Sequence, residues 1–578
     1  MPFDYRGGIF EALPVEIWNL IIDFLRWDPW SSLYALNLAC RGFHEIMPPV
    51  LFKTVHIHFP RHGGGDPKLD ALLNPDWGRR VHHHVRILIV SHGHAFKGDY
   101  SELINTLVEG LPNLEIIRCR HTPFPPGLLS NLTSRHSPPV FYYEGDLKDL
   151  ETINDRAAPF IKSASLTLNT VSARNVDADP HCVALRSLLP SLSNLSRLAL
   201  QYRAPGAERS RPMLDLPPGS TLPSVEDLVL TNFSFSADQA ASWTRLLEAG
   251  TRLRRLALDG TILDLCQFIH QLSSSGVPGG LRSFSLRVQD TSSRLTDSAA
   301  GVHDTSPRIP PQLSEAVTSL LHRTTNLTEF LAYDLPKHIL HIVVSSHGGN
   351  IRRLTFRRTN FTGLQLGGPI YPPTGVTLLR ESSAYKGSLF SPDEMQDFAR
   401  RLPLLERLGI DICFAGDLHL DILHAIASFP SLKFVELNTP HPNVHPHCRR
   451  RPSSKQWLDC SFAEKAFRHI ADRKDDLCRR AAADGMDNRS WSRLMGLDIK
   501  EGEWEPLVSN YRLLKVHGRI YACWRNTARA QGTKVHTLEL PCKYEGYRRC
   551  IEDNMYEQTM IAAGLWATAH ADCGPAIW

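Results

Sequence analysis

The sequence predicts an α/β fold with a short three-helix module at the N-terminus, an irregular solenoid of strand–helix repeats, and an α-rich capping module at the C-terminus. Three observations predict it. Apolar residues recur at helical spacing near the N-terminus. Beyond Val81, a strand-like pattern returns about every 28 residues, and six of the eleven tryptophans follow the array. The predicted domains are 8–55, 56–438 and 457–578, with residues 439–456 as a linker.

Composition excludes several functional classes. The chain has 578 residues, a formal net charge of +4 and 21% charged residues, which is too balanced to indicate a nucleic-acid or membrane-surface partner. No uninterrupted apolar run has the length of a membrane span, and the opening residues do not resemble a secretory signal. The twelve cysteines are scattered without a CxxC pair, so we expect reduced thiols and a cytoplasmic or nuclear protein.

The first predicted helix is apolar on more than one side. Pro14 suits the first turn of a helix, because its missing N–H would have no partner there. Two apolar stripes follow at helical spacing and together cover roughly 200° of the helix. The stripes are Ile17, Leu20, Ile21, Phe24 and Leu25, and Val15, Trp18 and Ile22. Such a helix is either enclosed within its own domain, or packs against its own domain with one face and binds a partner with the other.

Two further short helices are predicted before a strand near residues 53–58. The sequence of the three predicted helices resembles an F-box. The resemblance covers residues 10–55, and Phe43 stands where many members have tryptophan. The matching positions are Leu13, Pro14, Glu16, Ile17, Ile21, Leu25, Leu33, Leu36, Leu38, Cys40, Arg41 and Phe43.

The resemblance implies a partner. F-box proteins bind the Skp adaptor, which joins them to a cullin–RING ubiquitin ligase. The positions that it implies as adaptor interface, or its immediate support, are Leu13, Pro14, Ile17, Ile21, Leu25, Leu33, Leu36 and Phe43.

The repeat pattern is apolar-x-x-apolar-x-apolar. Clear copies begin at Leu195, Val225, Leu253 and Leu281, at spacings of 30, 28 and 28 residues. Each copy buries about three large side chains, roughly 5–8 kcal/mol gross, which is less than the entropic cost of ordering its residues. Copies must therefore stack. The array resembles leucine-rich repeats, in which the strands line one face. Further copies begin at Val85, Leu114, Ser163, Leu327, Ile351, Leu405 and Leu432.

The alternate residues of each predicted strand lie on the face opposite the core, where we expect the substrate. Five arginines on this face would suit an acidic or phosphorylated segment; an ordinary solvated face is the alternative, because carboxylates are interspersed. The candidate substrate-binding residues are Arg255, Arg287, Arg353, Arg357 and Arg407. The acidic residues among them are Asp259, Glu329, Asp411 and Glu436.

Motifs for catalysis, cofactors or metals are missing from the sequence. It contains no glycine-rich phosphate loop, no GxSxG, no HExxH and no RING-like ladder of Cys and His. The histidines near His82 and His441 lack zinc-ligand spacing. We therefore expect a non-catalytic substrate receptor of an SCF-type ubiquitin ligase, without a cofactor, that binds an unidentified protein substrate. The alternative is an F-box scaffold that works outside ubiquitin ligation.

Overall fold

The computed structural model describes twenty segments of the chain. They are residues 48–59, 67–92, 100–120, 128, 132, 135–146, 158–169, 189–203, 225–231, 233, 235–250, 252–289, 310–333, 335–357, 390–412, 418–439, 459–483, 491–501, 519–525 and 535–540. The predicted F-box helices, with all eight adaptor-binding positions, lie outside these residues. The described residues have a mixed α/β fold with parallel strands, which confirms the α/β part of the prediction.

The described residues form two compact units that divide between Ala164 and Ser165, inside the array that the sequence predicts to be continuous over 56–438. The first unit contains four parallel strands that pair in chain order. They are β1 Thr54–Phe59, β2 Ile87–His92, β3 Ile116–Arg120 and β4 Val140–Asp146. Its helices are α1 Pro48–Leu51, α2 Pro67–Leu73, α3 Pro75–His82 and α4 Ser101–Gly110. Strand β5, Ile161–Asn169, crosses the division.

The second unit contains nine parallel strands, β6 to β14, that pair in chain order. They are β6 Arg197–Arg203, β7 Asp227–Thr231, β8 Arg255–Thr261, β9 Ser283–Gln289, β10 Glu329–Tyr333, β11 Arg353–Arg357, β12 Arg407–Asp411, β13 Phe434–Thr439 and β14 Gly496–Glu501. The antiparallel strands β15 Arg519–Arg525 and β16 Val535–Leu540 complete it.

Helices connect most of these strands, because a parallel pair needs a crossover rather than a tight hairpin. Consecutive helices from α5 to α11 pack side by side. They are α5 Ala237–Gly250, α6 Ile262–Ser273, α7 Pro311–Arg323, α8 Lys337–His347, α9 Pro392–Arg401, α10 Leu420–Ala427 and α11 Cys460–Ala483. Three short 3-10 turns are also present: Ala158–Phe160, Leu189–Ser191 and Val277–Gly280.

Every predicted copy of the apolar pattern lies on a strand, and the apolar residues of most copies are buried. In the copy at Leu253, the residues Leu253, Leu256 and Leu258 are each at most 2% exposed. The same three positions are buried in the copies at Leu195, Val225, Leu281, Leu327, Ile351, Leu405 and Leu432. Burial of one such side chain contributes about 1.5–3 kcal/mol, so the apolar spacing sets which face of each strand is enclosed.

A backbone ladder joins the repeats just before each strand begins. The N–H of Glu226 donates to the Ser196 carbonyl at 2.8 Å, and the N–H of Arg254 donates to the Glu226 carbonyl at 2.8 Å. The series then continues, with distances of 2.7–2.9 Å, through Arg282, Thr328, Arg352, Glu406, Lys433 and Met495. The same bond therefore aligns all strands from β6 to β14, whatever the length of the connecting segment.

The C-terminal region was predicted to be an α-rich module. Between residues 459 and 540, the described segments comprise one helix of 24 residues and three strands of 6, 7 and 6 residues. Helix α11 packs on α10, and β14 pairs in parallel with β13, so residues 460–501 continue the strand–helix order beyond the predicted boundary at 438. The copy that forms β14 is "LMGLDI" at Leu494, where Leu494, Leu497 and Ile499 are all buried.

A buried lysine of α11 forms hydrogen bonds with the preceding repeat. The Lys474 side chain is fully buried, and its ammonium donates to the carbonyls of Phe429 and Pro430 in the turn before β13. Its Nζ also lies 5.4 Å from the centre of the Trp491 ring. Burial lowers the pKa of the Lys474 ammonium to about 8. The two carbonyls and the ring replace the solvent that this cation loses.

Gly348→Ala is expected to reduce the free energy of unfolding by about 1–3 kcal/mol. Gly348 ends α8 where the backbone of α9 passes closely, and an added Cβ would overlap the Arg401 carbonyl oxygen and lie 2.5 Å from the Val344 carbonyl oxygen. The adjacent Gly349 has no atom within 4 Å of such a Cβ, so Gly349→Ala is the control, with a change within about 0.5 kcal/mol. Urea unfolding of both variants measures the difference. Equal midpoints would refute this close packing of α8 against α9.

Candidate functional site

The side chains on one face of strands β6 to β14 form the candidate site. Along each strand, alternate residues point away from the buried core, and we call this side the outer face. The strand register arranges its residues in three rows. The first row is Arg197, Asp227, Arg255, Ser283, Glu329, Arg353, Arg407, Phe434 and Gly496. The middle row is Ala199, Val229, Ala257, Ser285, Leu331, Thr355, Gly409, Glu436 and Asp498. The third row is Gln201, Thr231, Asp259, Arg287, Tyr333, Arg357, Asp411, Asn438 and Lys500.

All five candidate arginines lie on the outer face. Arg255, Arg353 and Arg407 belong to the first row, and Arg287 and Arg357 belong to the third. The acidic residues that the sequence places beside them are on the same face. Strand alternation alone was enough to predict this placement, because a residue two positions from a buried leucine has the same orientation as that leucine and a residue one position away has the opposite one.

Two of the arginines are paired with carboxylates of the preceding strand. Arg255 Nη1 lies 3.9 Å from Asp227 Oδ2, and Arg287 Nη1 lies 3.6 Å from Asp259 Oδ2. Burial raises the pKa of Asp227, while the charges of Arg197 and Arg255 oppose that rise. The pair at Arg287 is the more enclosed, since its side chains are 12% and 10% exposed, compared with 35% and 23% at Arg255.

Arg357 is the centre of the most enclosed network on this face. Its guanidinium lies 3.5 Å from Asp411 Oδ1 and 3.8 Å from Glu436 Oε1, and its side chain is only 6% exposed. The guanidinium carbon is also 5.9 Å from the centre of the Tyr333 ring. Burial raises the pKa of the Tyr333 phenol, so the ring stays neutral beside the cation at ordinary pH. Arg357 therefore has a structural role between two carboxylates.

Arg353 and Arg407 differ from the other three arginines in their neighbours, because they lie opposite each other on adjacent strands and not each opposite a carboxylate. Arg407 Nη2 is 3.7 Å from Glu436 Oε2, but Arg407 Nη1 is buried without a hydrogen-bond acceptor among the described residues. Arg353 Nε is likewise buried without an acceptor there. Burial lowers the pKa of the Arg353 guanidinium, and the neighbouring Arg407 charge lowers it further.

Small side chains occupy much of the middle row. From β6 to β9 it contains Ala199, Val229, Ala257 and Ser285, and on β12 it contains Gly409. A Cβ at Gly409 would lie 2.9 Å from Thr355 Oγ1, so the threonine already fills the space above the glycine. From β6 to β9 the middle row is thus lined by small side chains, with charged side chains in both neighbouring rows.

The described residues contain no group of three or more His, Cys, Asp and Glu side chains placed to hold a metal. His82 Nε2 lies 2.8 Å from the Leu72 carbonyl oxygen, and the predicted histidine cluster at His441 falls outside the described segments. A groove between α7 and α8 contains Ser314 Oγ and His338 Nε2 at 2.6 Å, but no described carboxylate pairs with this imidazole. Within the described segments, every helix is too short or too polar to cross a membrane.

The pairing of Arg255 and Arg287 was not foreseen from the sequence, although a usable signal exists. When the copies "VEDLVL" and "LRRLAL" are aligned, Asp227 and Arg255 occupy the same position. Equivalent positions of stacked repeats are neighbours, so opposite charges at one position predict an ion pair.

No protein-family model matches the chain, and no curated protein matches it significantly.

Proposed function

We propose that this protein is the substrate-recognition subunit of an SCF-type cullin–RING ubiquitin ligase. The N-terminal motif carries the proposal, because its apolar residues would cover two sides of one short predicted helix and match the F-box pattern at many positions. In this proposal, the F-box binds the Skp adaptor through Leu13, Pro14, Ile17, Ile21, Leu25, Leu33, Leu36 and Phe43. Ligase assembly of this kind takes place in the cytoplasm or nucleus, which fits cysteines that are scattered along the sequence without a CxxC pair.

The strands and helices that follow are proposed to be a leucine-rich-repeat array that binds a protein substrate. Three features support this reading: the apolar pattern recurs in nine successive strands, the backbone ladder connects them in order, and consecutive helices from α5 to α11 pack side by side. The outer face is proposed to bind the partner. Strand β14 and the antiparallel β15 and β16 are proposed to cap the array, since a terminal repeat must shield its open edge.

The ligase mechanism requires no catalytic side chain from this chain. A receptor that holds its substrate beside a ubiquitin-loaded enzyme raises the effective concentration of the two reacting groups. The outer face supports such a role, because its charged residues are mainly engaged in ion pairs that give the surface a fixed shape.

Affinity purification of the full chain, with and without residues 8–55, tests the proposal under proteasome inhibition. We expect the Skp adaptor and a cullin to co-purify with the full chain and to be lost from the shortened chain. Recovery of the adaptor without a cullin would favour the scaffold alternative. Equal recovery of the adaptor by both chains would contradict the F-box assignment, and a folded array in the shortened chain is verified by its thermal unfolding.

A further inference from the structure

A groove between α7 and α8 holds a serine hydroxyl against an imidazole. Ser314 Oγ lies 2.6 Å from His338 Nε2, which is the separation expected of a nucleophile and its base. Ser314 is half-buried, His338 is exposed and both line the groove, so a small molecule can reach them from solvent. The groove has a volume of about 610 Å³, which is the size of a small-molecule site. Both residues belong to helices, so this groove is separate from the outer face of the strands.

The packing of the two helices fixes the positions of this pair. Ser314 is the fourth residue of α7 and follows Leu313, which is fully buried. His338 is the second residue of α8 and precedes Ile339, which is also fully buried. Each of the two polar side chains is therefore next to a residue that is anchored in the core. Groups on helices are held more precisely than groups on loops, as a reaction between them requires.

The other side chains in the groove limit the charge of a ligand. The remaining lining residues are Pro311, Glu315, Thr318, Ser319 and Pro336. One of them is a carboxylate, and the described residues that line the groove include no lysine or arginine, so the groove disfavours an anionic ligand. The hydroxyls of Thr318 and Ser319 can form hydrogen bonds with a neutral polar group. The groove therefore suits an uncharged or cationic molecule.

We propose that Ser314 is a nucleophile, that His338 is its general base, and that the groove hydrolyses uncharged or cationic carboxylic esters. When Nε2 carries no proton, the Ser314 hydroxyl donates a hydrogen bond to it, and the imidazole accepts that proton as Ser314 Oγ attacks. This activity is additional to the proposed ligase role and does not depend on it.

The reaction has two steps and uses no oxidant or reductant. In the first, Ser314 Oγ bonds to the ester carbonyl carbon and its proton passes to His338 Nε2. The bond from that carbon to the alcohol oxygen then breaks, and the alcohol takes the proton from Nε2, which leaves an ester of Ser314. In the second step, water attacks this ester and gives a proton to Nε2. The proton returns to Ser314 Oγ as the carboxylic acid leaves, so ester and water have become acid and alcohol.

Two main-chain donors are available for the oxyanion that forms in each step. Lys337 and His338 are the first two residues of α8, so their N–H groups have no acceptor within the helix. In the proposed reaction they donate to the oxyanion. The imidazole has no described carboxylate partner to orient it, and loss of such a partner costs serine proteases about 10⁴-fold in rate. We therefore expect slow hydrolysis, for which covalent labelling of Ser314 is the more sensitive measure.

Labelling of the full chain with a biotin-tagged fluorophosphonate tests the proposal, with the modified residue located by mass spectrometry. We expect Ser314 to be labelled at least tenfold faster than Ser319, an exposed serine of the same groove without a hydrogen bond to a described imidazole. His338→Ala should slow the labelling of Ser314 at least tenfold, and added free imidazole should restore it. Ser319→Ala is the matched control and should leave the labelling of Ser314 within twofold.

Hydrolysis of p-nitrophenyl acetate gives a second measure. The chain has 27 histidines, whose imidazoles hydrolyse this ester directly, so each rate is compared with that background. We expect Ser314→Ala and His338→Ala to release nitrophenol at one shared background rate. The unmodified chain and Ser319→Ala should both exceed that rate.

Three outcomes would overturn the inference: equal labelling of Ser314 and Ser319, labelling of Ser314 that is unchanged in His338→Ala, or no labelling of a folded chain. Rescue by free imidazole separates loss of the base from loss of the fold, and thermal unfolding of each variant verifies the fold. If Ser314→Ala does not fold, the position that is labelled in the unmodified chain still decides the question. Adaptor capture should be the same in all of these variants.

Discussion

The double substitution Leu13→Asp with Ile17→Asp is expected to abolish capture of the Skp adaptor while the repeat array stays folded. Both residues belong to the apolar surface that the F-box resemblance assigns to the adaptor. Two carboxylates buried in an apolar interface would cost at least about 4 kcal/mol, because each central interface residue contributes 2 kcal/mol or more. That energy corresponds to roughly a thousandfold loss of affinity. Pull-down with purified adaptor measures it.

Asn19→Asp provides a matched control for the added charge. Asn19 belongs to the polar side of the same predicted helix, so a carboxylate there should leave adaptor capture within about twofold of the unmodified chain. Unfolding of the array, monitored by circular dichroism, should have the same midpoint in all three proteins. Normal adaptor binding by the double variant would contradict the F-box assignment directly.

Arg357→Ala is expected to reduce the free energy of unfolding by about 3–5 kcal/mol. The substitution removes the cation between Asp411 and Glu436, and the side chains of this network are 6%, 7% and 14% exposed. Breaking an enclosed pair costs more than the pair itself contributes, since the remaining charges stay desolvated. The lost stacking on Tyr333 adds to the effect. Chemical denaturation with intrinsic fluorescence measures the change.

Arg255→Ala removes the same side chain from the same face, but from a more exposed ion pair. Its partner Asp227 retains 23% of its side-chain exposure, so the carboxylate regains solvent and the expected loss is below about 1 kcal/mol. The two variants should therefore differ by at least about 2 kcal/mol. Similar destabilisation of both proteins would show that the outer face is uniformly solvated and that Arg357 has no special structural role.

Much of this fold was predictable because the apolar spacing is a local property of the chain. Each copy of the pattern became a strand, and alternation alone assigned Arg353 and Arg407 to the outer face. The strand β4 was missed because Pro138 stands where the pattern has its first apolar residue, three positions before Phe141. The strand β14 was missed because Leu494 follows Leu432 at more than twice the usual spacing. A long intervening segment breaks the regular spacing, so a search for periodicity does not find the repeat. The pairing of β14 with β13 in the structure does not depend on that spacing.

Other features could not be predicted because they depend on the third dimension. The reversal of direction at β15 follows from pairing with β14, and no local pattern encodes it. The position of Lys474 under Trp491 depends on how α11 crosses the preceding turn. The distinction between Arg357, which is neutralised, and Arg353, which is not, requires knowing which carboxylates approach within 4 Å. A sequence shows which residues are charged, but the strand register decides which of them lie beside a residue of opposite charge.

The backbone ladder before the strands has an evolutionary consequence. Its hydrogen bonds use only main-chain atoms, and the residues that donate them include glutamate, arginine, threonine, lysine and methionine. Scaffold alignment is therefore insensitive to the side chain at these positions, except for proline, which has no N–H to donate. Such a chain can change the side chains at these positions one at a time without a compensating change in its interior.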